Sequence, residues 1–549
     1  MEIIPPPQPS NPTPEERLKL LYFGLELNER PEDFTNIISL FNPPQEISTI
    51  LPPGSCKGIK VAILGGGLAG LSAAFELRKL GFDITIYEAE ENRVGGRVFT
   101  HYFDKRLGLY GELGPLRFPV AHQSLWHYID LFRLNTRRFI VANENTFRYV
   151  GGVRSRNTPD EVQRLIYPLF NLTPEEKNTP WPSLEARILE DYIRPLSPEV
   201  RAEILELREI YSPAIASADY YNINQALQNA NLSRGAISML SSVNPFLGGY
   251  LDKGHINFLQ DAYPLNFLYM YELIGGLATL PKAFYRSLIN PCPTEYGERV
   301  PLKALGKVAF KRGHQVTGLS QREGGSVAVQ YKERHSSIKR TKIFDFIVCG
   351  IPFSNLRLID LQPQFNIEKM EAIRQLNLSP AQKTTFLCNR RFWENDRIIG
   401  GTSSTDLIIN SILYPTDTAP IDSPGVITAS YNWTQDALRL GNFIRKDAIE
   451  IIKRQIEEIH GLPKFSLDSI VVAHKTILWT DHPWALGAFT FTTSKQNQLY
   501  ARVSIAPEYN NRVFFAGEHV SNAKGWMQGA LQTGMFAANN IALKCQQYT

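Results

Sequence analysis

The chain has 549 residues, 43% of them hydrophobic and 20% charged, with a formal net charge of +4. That length exceeds one hydrophobic core and predicts two or three substructures. So small and dispersed a charge argues against nucleic acid or an anionic membrane as partner.

The opening M-E-I-I-P-P-P-Q-P-S has neither the basic start nor the apolar core of a secretory leader, and no apolar run reaches the roughly 18 residues of a membrane span. A cytoplasmic protein is the expectation. The proline-rich residues 1–56, with a helical stretch at P-E-E-R-L-K-L-L, predict an extended arm packed on the body. The five cysteines (Cys56, Cys292, Cys349, Cys388 and Cys545) include no C-x-x-C and no ligand-like pairing. They are expected to be free thiols, with no metal bound.

At Ile59 the pattern changes. I-K-V-A-I-L is a short continuous apolar run, the mark of a buried parallel strand. G-G-G-L-A-G follows, then L-S-A-A-F-E-L-R-K-L with apolar positions at helical spacing, then D-I-T-I-Y as a second strand ending at Glu88. Gly65, Gly67 and Gly70 thus form G-x-G-x-x-G between a strand and a helix. The first allows the tight turn, the second lets a pyrophosphate approach the backbone, and the third allows close helix–strand packing. Free N–H groups at the helix start then face the phosphates. Glu88, eighteen residues after Gly70, is placed to accept from ribose hydroxyls and disfavours a 2′-phosphate. The cofactor is therefore a dinucleotide other than NADP; this motif leaves FAD and NAD both open.

R-V-G-G-R at 93–97 puts a second glycine loop and a cation, Arg97, beside the expected pyrophosphate, with Gly96 in the loop. Residues 155–285 read mostly as helix, as in P-E-V-R-A-E-I-L-E-L-R-E-I. Alternation returns in V-A-F-K-R-G-H-Q-V-T-G-L-S and S-V-A-V-Q-Y, and F-D-F-I-V-C-G-I-P holds another buried strand. After a long mixed segment the chain closes with V-F-F-A-G-E-H at 513–519 and a last helical stretch.

R-V-G-G-R and V-F-F-A-G-E-H together resemble the flavin amine oxidase superfamily from about residue 57 to the C-terminus. The resemblance implies FAD, with Glu518 near the ribityl chain. It extends the cofactor contacts to Ala69, Ala89, Gly114, Leu116, Arg117, Val316, Gly517, Trp526 and Met527. Within that superfamily G-E-L-G-P-L-R-F-P at 111–119 resembles the loop of L-amino-acid oxidases whose arginine, here Arg117, grips the substrate carboxylate. An arginine fork suits a buried carboxylate.

Lys383, ten residues before Trp393, matches the superfamily's lysine that reaches the flavin through a water. Trp526 and Tyr431 match the two aromatic walls of the substrate pocket, and backbone N–H groups around Met527 match those facing the flavin pyrimidine ring. Ala488 stands among the pocket residues where monoamine oxidases carry the cysteine that binds FAD, so FAD is expected to be non-covalent. I-P-F-S-N-L-R, G-G-T-S-S-T-D and Y-N-W-T-Q-D-A bring the likeness nearest to the glutamate- and lysine-oxidising kind. Asp261, in N-F-L-Q-D-A-Y, falls where those relatives read the substrate side chain, and an acid there points to L-arginine or L-lysine.

The expected fold is mixed α/β. A Rossmann-like FAD domain is assembled from residues 57–118, 286–378 and 507–549, a substrate domain from 119–154 and 379–506, and a helical domain from 155–285. The implied reaction takes the substrate α-carbon to an imino acid, which hydrolyses to a 2-oxo acid and ammonia, while O2 becomes hydrogen peroxide. A homodimer is the expected assembly. An amide-forming amino-acid 2-monooxygenase, an amine or polyamine oxidase, and a non-enzymatic FAD scaffold are the competing readings.

Overall fold

A computed structural model describes residues 5–547; the M-E-I-I of the leader lies outside them. The run K-V-A-I-L forms strand Lys60–Leu64, whose last four residues are fully buried. It lies at the centre of a five-stranded sheet ordered Val308–Arg312, Asp83–Glu88, Lys60–Leu64, Phe346–Cys349, Val513–Phe515. Every pair in it is parallel, with Val61 opposite both Ile84 and Phe346. Parallel strands buried on both faces read as continuous apolar runs, which is why the three middle strands were visible in the sequence; the edge strand Val308–Arg312 is partly exposed and reads as alternation. They come from three stretches far apart in the chain, so the dinucleotide fold is assembled from separated segments.

Helix Leu68–Lys79 packs against the C-terminal helix Met527–Gln546, and Ser72 Oγ donates to the Leu531 carbonyl at 3.0 Å. A seven-stranded sheet forms a second layer; its neighbouring strands Ala381–Cys388 and Gly425–Trp433 are antiparallel, with Lys383 opposite Tyr431. Between Pro159 and Ile289 the chain is mainly short helices around one strand, Met270–Leu273.

The leader differs from the extended arm its prolines suggest. Pro14 sits at the first position of helix Pro14–Leu27, behind a capping box of Thr13 and Glu16, where its missing N–H costs nothing. A second helix, Phe34–Phe41, follows, and Leu20, Leu21, Leu25, Ile37 and Phe41 join the main core. The leader is packed through helical apolar faces. Among the described residues no helix is long and apolar enough to cross a membrane, and no group of His, Cys, Asp and Glu could hold a metal.

Candidate active site

A cavity of about 570 Å³ opens at the carboxyl ends of the parallel strands, the usual place for a ligand in such a sheet. Gly65, Gly67, Ala69, Glu88, Ala89, Gly96, Arg97, Gly114, Val316, Gly517, Glu518, Trp526 and Met527 all line it. Gly65 has φ +99°, and a Cβ on Gly67 would point into open space. Gly70 faces the other way: a Cβ there would lie 2.1 Å from the Gly65 carbonyl oxygen, so its role is packing.

Glu88 is fixed by two backbone donors, Gly66 at 2.8 Å and Glu90 at 2.7 Å. Burial pushes its carboxyl above the ordinary range. Glu518 pairs with Arg97 at 2.5 Å and accepts from the Gly525 N–H at 2.9 Å. Burial works to raise its carboxyl, but the Arg97 guanidinium, His519 and the Gly525 N–H together hold it below the ordinary range. The loop from Trp479 to Leu486 covers this cavity, pinned by Trp479 Nε1 to the Leu113 carbonyl at 2.8 Å. The cradle fits FAD: a phosphate-binding helix start and a ribose-facing acid lie at one end, and Lys383, Tyr431 and Trp526 at the other.

A second cavity of about 630 Å³ adjoins it through Pro115, Lys383, Tyr431, Phe489, Gly525 and Trp526. Leu116 and Arg117 line this second cavity and not the first, unlike the cofactor contact expected of them. The Arg117 guanidinium lies between the Phe139 and Phe267 rings, 5.4 and 5.6 Å from their centroids. It forms no ion pair among the described residues, and its buried Nε has no hydrogen-bond partner. A guanidinium drawn out of water costs several kcal/mol unless an anion meets it; here the Asp261 carboxylate acts on it electrostatically without forming an ion pair.

Lys383 Nζ donates to the Gly114 carbonyl and lies 4.1 Å from the Tyr431 ring centroid. Burial and the nearby Arg117 charge push its ammonium down to about 7. Asp261 Oδ1 accepts from Trp526 Nε1 at 2.7 Å and from Asn266 Nδ2 at 3.0 Å. Burial pushes this carboxyl up to about 6 against those two donors. Ala488 lines the cofactor cavity, and no cysteine lines either cavity. Of the predicted residues, Lys383, Tyr431 and Trp526 line both cavities, Ala488, Glu518 and Met527 line the first, and Arg117 and Asp261 line the second.

Several lining residues had no mark in the sequence. Phe246, Phe258, Trp433 and Phe491 form an aromatic wall, with Tyr431–Trp433 and Trp433–Phe246 centroids 4.5 and 5.1 Å apart. Glu185, from the helical segment, and Asn28, from the leader, also line the second cavity. Lys524 lines it with its ammonium pushed down to about 8 by burial. Only proximity to Trp526 could have flagged Lys524; side chains arriving from distant helices leave no local signal.

A family model for flavin containing amine oxidoreductases matches residues 68–542. The chain is 29% identical over 498 residues to an L-amino-acid oxidase of Vipera ammodytes ammodytes, covering 89% of this chain and 93% of that one. It is 30% identical over 490 residues to an L-amino-acid oxidase of Siganus canaliculatus, covering 88% and 85%. Its fold is similar to that of wild-type putrescine oxidase bound to putrescine, with TM-score 0.68 and 17% identity over 88% of this chain and 98% of that one.

Proposed function

The chain belongs to the flavin containing amine oxidoreductase family, and on that premise we propose that it is an FAD-dependent L-amino-acid oxidase. The observation that carries this reading is Arg117: an unpaired guanidinium in the substrate cavity suits a substrate with a carboxylate. A simple amine or polyamine would leave that cation unmatched. The curated relatives named L-amino-acid oxidases support the same reading.

FAD, when bound, supplies the two-electron acceptor. The protein does the rest. Arg117 anchors the carboxylate, and Tyr431 and Trp526 fix the substrate between aromatic faces. Lys383, held by the Gly114 carbonyl, orients water at the junction of the two cavities. The fixed position of these groups lowers the entropic part of the barrier. With Ala488 at the cavity wall and no cysteine beside it, FAD is held non-covalently.

The substrate side chain we propose is cationic, as in L-arginine or L-lysine. Asp261 lines the cavity and has no ion-pair partner among the described residues. A long methylene chain would pass along the aromatic wall and bring its charge to that carboxylate. The same wall also favours a second reading, a large apolar L-amino acid.

Product analysis separates oxidase from monooxygenase. Equal amounts of 2-oxo acid, ammonia and hydrogen peroxide are expected from an L-amino acid. An amide with carbon dioxide as the main products would overturn the oxidase reading.

A further inference from the structure

Asp261 is the penultimate residue of helix Ile256–Ala262, whose C-cap is Tyr263. The last carbonyls of a helix have no partner within it and carry the negative end of its dipole. Here a cation from 232 and 233 residues away in the chain meets them: the Arg30 guanidinium donates to the Tyr263 carbonyl at 3.3 Å from both Nη atoms and to the Ala262 carbonyl at 3.5 Å. Arg30 has no solvent exposure, and its charge is matched by Asp33, also fully buried, at 2.9 Å. Asp33 in turn accepts from Arg201 Nε at 2.9 Å, so the leader ties this helix end to the helical segment.

The contact continues past the helix. A Cβ on Gly24 would lie 2.6 Å from Leu268 Cδ2 and 3.2 Å from Leu265 Cδ1, so the first leader helix lies close against the turn after Asp261. Leu265, Leu268 and the leader's own Asn28 all line the substrate cavity. Leu265 has φ +57° and Tyr269 φ +49°. This turn is strained at two non-glycine residues, and such backbone persists only where its surroundings over-determine it.

We infer that Arg30 is a positioning residue for the side-chain wall of the substrate cavity: by capping the helix that carries Asp261, the leader sets where that wall stands. Arg30 touches neither substrate nor cofactor; it acts through Ala262 and Tyr263. The inference rests on the proposed placement of the substrate in this cavity. It does not depend on whether the side chain is cationic or apolar.

A short side chain cannot reach the wall, and a long one must. Arg30→Lys keeps the charge beside Asp33 but loses the fork that spans two carbonyls; Arg30→Met removes both. In the FAD-loaded enzyme, kcat/KM for the parent's best long-chain substrate should fall about tenfold in Arg30→Lys, the order expected for one lost hydrogen bond to a charged group. The loss should appear mainly in KM, while L-alanine stays within about twofold, a barrier change of roughly 0.4 kcal/mol. Where Arg30→Met does not fold, Arg30→Lys carries the test. A purely structural role would lower Tm and reduce both substrates alike, and that uniform loss, or no change in either, would overturn the inference. Flavin absorbance changes on titration with acetate and with 6-aminohexanoate, or with hexanoate where the parent prefers apolar substrates, read the same split without turnover. A parent that binds those carboxylates but oxidises no amino acid would refute the oxidase reading, and the acetate-to-aminohexanoate ratio in Arg30→Lys would still decide the role of Arg30.

Discussion

The indole N–H of Trp526 donates to Asp261 at 2.7 Å, which joins a wall of the aromatic pocket to the residue proposed to read the side chain. Asn266 holds the same carboxylate oxygen, and His122 Nε2 lies 3.1 Å from Asn266 Oδ1. The His122 ring also packs edge-on against Trp526, centroid to centroid 5.0 Å. Trp526 and Asp261 are therefore oriented as a unit, and a change at one will be felt at the other.

Asp261→Asn should weaken L-arginine and L-lysine while sparing a neutral substrate such as L-leucine. Losing one partner of a buried charge pair costs about 2–5 kcal/mol, so the arginine-to-leucine ratio of kcat/KM should fall by roughly 30-fold or more. An equal loss on both would assign Asp261 to holding Trp526 alone.

The same residue gives a pH prediction. Burial raises the Asp261 carboxyl to about 6, so it is ionised above that pH and protonated below it. Preference for a cationic over a neutral substrate should therefore be full above about pH 6 and lost below it. Taking the ratio of two substrates cancels titration of the shared α-amine. A ratio flat between pH 5 and 8 would contradict this.

Lys383→Met should retain FAD but slow flavin reduction, reoxidation or both. Burial and the Arg117 charge bring the Lys383 ammonium down to about 7, so it is charged below that pH and neutral above it. Stopped-flow traces of the parent should show an inflection near pH 7 in the affected half-reaction, absent from the variant. Both half-reactions within about twofold of the parent, roughly 0.4 kcal/mol in barrier, would make Lys383 a structural residue.

Acid denaturation should release intact FAD into solution, because Ala488 offers no thiol. Flavin remaining with the precipitated polypeptide would contradict non-covalent binding.

The three middle strands of the parallel sheet and its glycine turn were legible because both are local: a buried strand is a continuous apolar run, and the turn requires its glycines in fixed register. The seven-stranded sheet was not legible. Thr402–Thr405 pairs with Phe147–Val150, more than two hundred residues away, and nothing in either segment names its partner. Arg117, Lys383, Tyr431 and Trp526 were found by motif, whereas Glu185, Phe246 and Phe491 reach the same cavity only through tertiary packing. The leader is a mixed case: the helical stretch at P-E-E-R-L-K-L-L forms, behind a Thr13–Glu16 capping box, and packs on the body, whereas the extended course its prolines suggested gives way to a second helix.

We propose that Arg117 anchors a substrate carboxylate. This is tested most directly by hydrogen peroxide formation from each L-amino acid, its amide and its decarboxylated amine, with the parent and with Arg117→Ala. The parent should oxidise L-amino acids and leave the amides and amines as poor substrates. Arg117→Ala should lower kcat/KM on the amino acid by about 2–5 kcal/mol of lost transition-state stabilisation, roughly 30-fold to several thousandfold, and erase most of that discrimination. Equal rates on an amino acid and its decarboxylated amine in the parent would contradict the account.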